Sequence, residues 1–231
     1  MYDIKYNGTL ASDLKMIIKE RPNIPAPQKK YESIEVAGID GSLIQSDGTY
    51  EDILIPISFN YIASKEKWMD IYRQAKQWLY SDGNRELVLA DDPGYFFKVK
   101  RVEVGTNERT SLRVGNFSAT FICEPYQYAK DGKLEYSPDN VLYNRYVTSH
   151  PVYIISGSGE CELWVNGKSV QISVDEYIVL DTGKMLAYKN DVLQNTNVRG
   201  NYEDLYLQHG KNEMYITDGF TISVIPNWRC L

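Results

Sequence analysis

The sequence predicts a mainly β chain: an α+β first domain with a strand meander and one long helix, then a second domain that is a β-sandwich or jelly roll. Three observations carry that expectation. Runs of β-branched and aromatic residues recur between Gly, Pro, Asn and Asp clusters; only one stretch has convincing helical periodicity; and a later pair of segments alternates apolar and polar residues around Asn-Gly. With 231 residues there is room for one or two domains, each burying its own core.

Taken in order, SDLKMIIKER is a weak helical or extended segment that Pro22 ends. Pro22, Pro25 and Pro27 then stiffen PNIPAPQKKY into an extended piece, whose ordering costs less entropy if it lies on a neighbour. The next run, VAGIDGSLIQSDGTYEDI, looks like a ligand loop but has the wrong spacing for one. Its glycines match neither dinucleotide nor P-loop patterns, and counting a calcium loop from Asp40 puts Ile44 and Gln45 where a ligand and a glycine belong. Turn chemistry explains it better: Asp40-Gly41 and Asp47-Gly48 flank SLIQS, glycine accepting positive φ and aspartate bonding its own backbone.

ILIPISF reads as a strand. In SKEKWMDIYRQAKQWLYSDG, Trp68, Ile71, Tyr72, Ala75, Trp78 and Leu79 form an apolar stripe, with Ser64 expected to cap the helix and Ser81-Asp82-Gly83 to stop it. ELVLA, GYFFKVKRVEV and TSLRVGNFSATFICEPY follow as a meander. PYQYAKDGKLEYSPDN, poor in aliphatic residues, suggests a linker, giving domains at 1–130 and 146–231 with 131–145 between them. Past it, Cys161, Leu163 and Val165 alternate into Asn166-Gly167, and Val170, Ile172 and Val174 alternate out, a type I′ hairpin signal. Asp218-Gly219 is expected to make a hairpin in the same way between Met214, Ile216 and Phe220, Ile222, Val224.

Composition narrows the function. No apolar run approaches a membrane span, and MYDIKYNGTL lacks the pattern of a secretory leader, so a soluble protein made in a cytoplasm is expected. Cys123, Cys161 and Cys230 are odd in number and show no C-x-x-C spacing, which fits buried or free thiols. The formal net charge is -6; residues 1–130 carry 17 basic and 18 acidic side chains, and the remainder 8 and 13. Such a balance does not favour nucleic-acid binding. His150 and His209 are the only histidines, the first at the entry to a strand and the second in a turn, and no nucleophile or zinc motif occurs. Glu160 and Glu162 share a strand face and Asp91-Asp92 precede Pro93-Gly94, but a solvated face and a turn account for them. An enzyme is therefore not expected, and no catalytic, metal-ligating or cofactor-binding residue is assigned. The 19 tyrosines suit protein interfaces and sugar-stacking surfaces alike.

ERPNIPAPQKKYESIEVAGIDGSL, Tyr50 ahead of ILIPISF, the helix ending QWLY, and FICEPYQY together resemble the distal tail protein of phages with long non-contractile tails. VNGKSVQI, IVLDTGKMLAY, YLQHGKNEMYI and ISVIPNWRCL are similar to that family's second domain. One departure is Ile39, where the family would have a basic residue before Asp-Gly.

The resemblance implies a six-membered ring built by the first domain, a β-sandwich with one long helix and an extended belt, and a galectin-like jelly-roll β-sandwich outside it. Such a baseplate hub joins the tail tube to a tail-tip or receptor-binding protein and leaves a channel for DNA. Its place is the virion tail tip, assembled in the host cytoplasm, with no membrane and no specific nucleic acid as partner. Belt candidates are Pro22, Asn23, Ile24, Pro25, Pro27 and Tyr31. The alternative is a carbohydrate-binding module for adhesion, for which Trp164 and Asn166 lie close in sequence without a histidine beside them.

Overall fold

The computed structural model describes residues 2–35, 37–38, 40–137 and 141–231. Ile39, the departure noted above, and Val36 at the head of the glycine-rich run lie outside them. The chain divides into two compact units, Met1–Gln127 with Leu231 and Tyr128–Cys230.

In the first unit the short strands β1 (Ile4–Tyr6), β2 (Thr9–Leu10) and β3 (Met16–Ile18) come before a long excursion that contains β4 (Glu32–Glu35) and β5 (Ser42–Gln45). Then follow β6 (Ile53–Ile62), the helix α1 (Trp68–Leu79), β7 (Glu86–Leu89), β8 (Tyr95–Val104), β9 (Glu108–Arg109) and β10 (Val114–Ala129), which carries the chain into the second unit. SDLKMIIKER resolves into both of its readings, a 3-10 turn at Ser12–Leu14 and then β3. The sheet runs β2-β1-β7-β8-β10-β6-β3, so the meander β7-β8-β10 is contiguous.

Alternation explains the core. Ile53, Ile55, Ile57, Phe59 and Tyr61 of β6 all point inward and are buried. They meet Phe117, Ala119, Phe121 and Cys123 of β10, with Phe59 directly opposite and stacked on Phe117. Helix α1 closes this face with Ile71, Ala75, Trp78 and Leu79, while Trp68 and Tyr72 pack at its margin. Trp78 fixes the helix by donating from Nε1 to the Tyr6 carbonyl at 2.9 Å and lying edge-on to Tyr6 and Phe59. The expected Ser64 cap does not form. The helix begins after Lys67 with no side-chain cap, because Ser64 sits a turn too early and its carbonyl accepts from the Lys67 N–H instead.

The second unit adds β11 (Val141–Asn144), β12 (Val152–Val165), β13 (Lys168–Asp181), β14 (Leu186–Lys189), β15 (Val192–Leu193), β16 (Val198–Arg199), β17 (Gly210–Ile216), β18 (Thr221–Ile225) and β19 (Arg229–Cys230). β12 and β13 pair along their whole length around Asn166 and Gly167, both at positive φ (52° and 80°). Cys161, Leu163, Val165, Val170, Ile172 and Val174 face inward, and buried Tyr153 donates to the Leu205 carbonyl at 2.7 Å. The mainly β architecture with one α-helix among the described residues is the fold class that the sequence predicts.

Asp218-Gly219 behaves differently from expectation. β17 and β18 do not pair with each other; both lie along β12, β17 beside Leu163–Val165 and β18 beside Val152–Ser156. The turn is therefore a kink in one interrupted lane. Its cause is Gly157 of β12, where a Cβ would come within 2.2 Å of the Phe220 ring, so Phe220 occupies the space a side chain would take.

Burial sets the chemistry of the cysteines. The Cys123 thiol is pushed up to about 12 and that of Cys161 to about 11, in both cases mainly by desolvation.

Candidate interaction surface

Residues 19–52 leave the first sheet after β3 and return to it at β6. Two backbone bonds make the neck: Lys30 N–H to the Thr49 carbonyl at 3.0 Å, and Glu51 N–H to the Gln28 carbonyl at 2.8 Å, around an antiparallel bridge of Lys29 with Tyr50. The ring of Tyr50 lies edge-on to Tyr126, which anchors the neck against β10.

Beyond the neck, β4 and β5 pair only with each other, with Ile34 opposite Leu43 and Ser33 opposite Ile44. Every residue of both strands is exposed. Because directly opposed residues share a face, Glu32, Ile34, Leu43 and Gln45 form one side and Ser33, Glu35, Ser42 and Ile44 the other. A lone two-stranded hairpin is marginal in water, and this one has solvent on both sides. Leu43 is 59% exposed and Ile44 is 70% exposed, which no core contact explains. Residues 31–51 contain five acidic side chains and no basic one.

The sequence-predicted residues fall on this arm. Pro22, Asn23, Ile24, Pro25 and Pro27 lie in an extended stretch without regular structure, Ile24 is 42% exposed, and Tyr31, just before β4, is 64% exposed. Asp40 and Gly41 directly precede β5, with Gly41 at φ 87°. Gly48, at φ 79°, follows it. Asp47 Oδ1 accepts from the Thr49 N–H at 2.8 Å and the Thr49 hydroxyl at 2.7 Å, and these bonds hold its carboxyl below the usual range. The turn positions on the other unit are remote in sequence: Asn166, Gly167, Asp218 and Gly219 punctuate β12–β13 and β17–β18. Asn166 is occupied structurally, donating to Asn212 Oδ1 and accepting from the Glu213 N–H. Trp164 sits opposite Tyr215 on the outward face.

Sequence reasoning missed the partner strand Glu32–Glu35 and the exposed apolar residues Ile34, Leu43 and Ile44. The available signal was a 21-residue run without a basic side chain in which the few aliphatic residues have no buried periodicity.

Turn and ligand readings of the arm separate by mutation. Asp47→Asn should leave melting and self-association unchanged, since asparagine keeps the accepting oxygen while losing the charge a metal would need. Gly48→Val should weaken self-association by about 1–2 kcal/mol, five- to thirty-fold, through backbone strain at positive φ. No heavy atom lies within 4 Å of a Cβ built there, so melting of the core should not follow. A calcium- or phosphate-dependent rise in melting temperature that Asp47→Asn removes would overturn the turn reading. Among the described residues no cluster of three or more His, Cys, Asp or Glu could hold a metal.

No family model and no curated protein matches the chain. Among solved structures it is similar to the crystal structure of phage SPP1 Dit (gp 19.1), described as a paradigm of the hub adsorption apparatus in phages infecting Gram-positive bacteria, with a TM-score of 0.74 over 100% of both chains at 12% identity. At that identity the likeness is one of fold.

Proposed function

We propose that this chain is a distal tail protein: a structural subunit, not an enzyme, that closes into a six-membered ring through residues 1–130 and joins a tail tube to a tail-tip or receptor-binding protein around a channel for DNA. The observation that carries the reading is the exposed, partly apolar β4–β5 hairpin on the arm of residues 19–52, which among the described residues pairs with no other strand of its own chain, on a fold shared with a phage hub protein. A segment of this kind is stable when it lies on a second copy, and a heterologous contact whose rotation closes gives a ring. The proline-stiffened stretch of Pro22, Pro25 and Pro27 reduces the entropy lost on docking. On this reading residues 146–231 form a galectin-like outer sandwich, and the protein belongs to the virion tail tip after assembly in the host cytoplasm.

Light scattering coupled to size exclusion, over concentrations up to the millimolar values local to a particle, tests it. A species of about six times the 26.6 kDa chain mass is expected. A strict monomer at every concentration refutes it. The saccharide-binding alternative draws on Trp164 and Tyr215 alone, since Asn166 is engaged within the fold; glycan-array binding by the full chain would favour it.

DNA should pass such a ring without being held. A first part of net charge -1 and a second of -5 offer few cations to displace counterions from phosphate. An electrophoretic shift assay at physiological salt should show no nanomolar binding, and a nanomolar shift would contradict the expectation.

A further inference from the structure

We propose that the cleft between the end of β6 and the start of α1 receives the β4–β5 hairpin of a second copy, with the Glu32–Ile34–Leu43 face of the hairpin turned into it and Lys15 and Lys67 meeting Glu32. The proposal rests on the ring reading above and supplies the surface that reading lacks.

The cleft is open, with a volume of about 540 Å³. That is enough for several aliphatic side chains. Ile62, Ala63 and Ile71 give it an apolar floor, and Ile62 is 58% exposed although it terminates a strand whose inward residues are buried. Lys15 and Lys67 stand at its rim, and neither side chain forms an ion pair or hydrogen bond among the described residues. Asp70, also on the rim, is held by Arg73 at 2.6 Å, so the cleft's unmatched charge is positive. The hairpin is its complement. Glu32 likewise has no side-chain partner among the described residues, and Ile34 and Leu43 lie side by side on the face that carries it.

Among the described residues of one chain the two surfaces do not meet: β4 and β5 form a sheet of their own, joined to the rest through the neck. Each copy therefore offers one arm and one cleft. Two different surfaces on one chain can make a heterologous contact, which repeats head to tail and generates a ring or a filament, whereas a reciprocal exchange of arms would stop at a dimer that the solution mass distinguishes. Unpaired lysines at the rim also reject an uncharged or basic segment, because they would be left desolvated without a counter-charge.

The test uses the full chain. Lys15→Glu with Lys67→Glu should weaken self-association at least tenfold, as should Glu32→Lys. All three together should return it to within about threefold of the unsubstituted chain, with melting temperatures unchanged throughout. A photo-reactive side chain in place of Leu43 should crosslink between copies to peptides containing Ile62 or Ile71. If the chain assembles but the lysine variants assemble equally well, if the combined exchange fails to restore assembly, or if the crosslinks map elsewhere, the cleft is not the receiver and the ring reading stands without it. A chain that remains monomeric under every condition removes both.

Discussion

Leu43→Asp combined with Ile44→Asp should abolish self-association wherever the unsubstituted chain assembles, and should leave its melting temperature unchanged. The two side chains stand on opposite faces of the hairpin and are 59% and 70% exposed, so the folded monomer gains little from them. Whatever they contribute is realised only against another molecule. Burying an aliphatic side chain of this size stabilises a contact by about 1.5–3 kcal/mol, so losing both costs about 3 kcal/mol or more, before the added expense of desolvating two carboxylates. That is a loss of at least about 100-fold in the association constant. Sedimentation velocity reads the association and calorimetry the melting. Unchanged assembly would remove the arm from the interface, and a fall in melting temperature would place these residues in a core.

A second large effect is expected at Gly115. An added Cβ there would stand 2.3 Å from Tyr61 Cζ, 2.5 Å from its hydroxyl and 2.7 Å from Trp68 Nε1. Neither ring can withdraw cheaply. Tyr61 is fully buried between β10 and the helix, and its hydroxyl donates to Asn107 Oδ1 at 2.8 Å. Gly115→Ala should therefore destabilise the first unit by about 3 kcal/mol, lowering its melting temperature by roughly 10 °C. Gly94→Ala is the control. Its Cβ meets nothing within 4 Å and its φ is not positive, so the change should be neutral or slightly stabilising. Equal melting of the two variants would mean that the space around Gly115 is not filled as described.

What could be read from the sequence follows the range of the forces involved. Alternation in β6, β10, β12 and β13 reports burial on one face of a sheet, a property of neighbouring residues, and those strands appear where the pattern puts them. The stripe of α1 is equally local, but its start is not. Any serine upstream of an apolar run looks like a cap, and only the path of residues 64–67 decides whether one is made. Asp218-Gly219 shows the limit of turn chemistry: the dipeptide specifies a positive-φ glycine, while the strand that each flank pairs with depends on Gly157 and Phe220, which are far apart in the chain. The arm was half legible. Its prolines and Asp-Gly turns are local signals, whereas the register of Ile34 on Leu43 and the cleft of Lys15, Ile62 and Lys67 join residues from separate segments, which no periodicity records.

The depth at which the thiols are set has a consequence for durability. A thiol is oxidised, alkylated or exchanged through its thiolate, and with Cys123 at about 12 and Cys161 at about 11 the thiolate at neutral pH is on the order of one part in ten thousand or less. Both sulfurs are also walled in by the packed cores of their own units. Transfer from a glutathione-rich interior to air-equilibrated water would thus leave these two positions chemically as they were made. Neither core needs a reductant to keep its shape, and neither depends on an oxidant to acquire it.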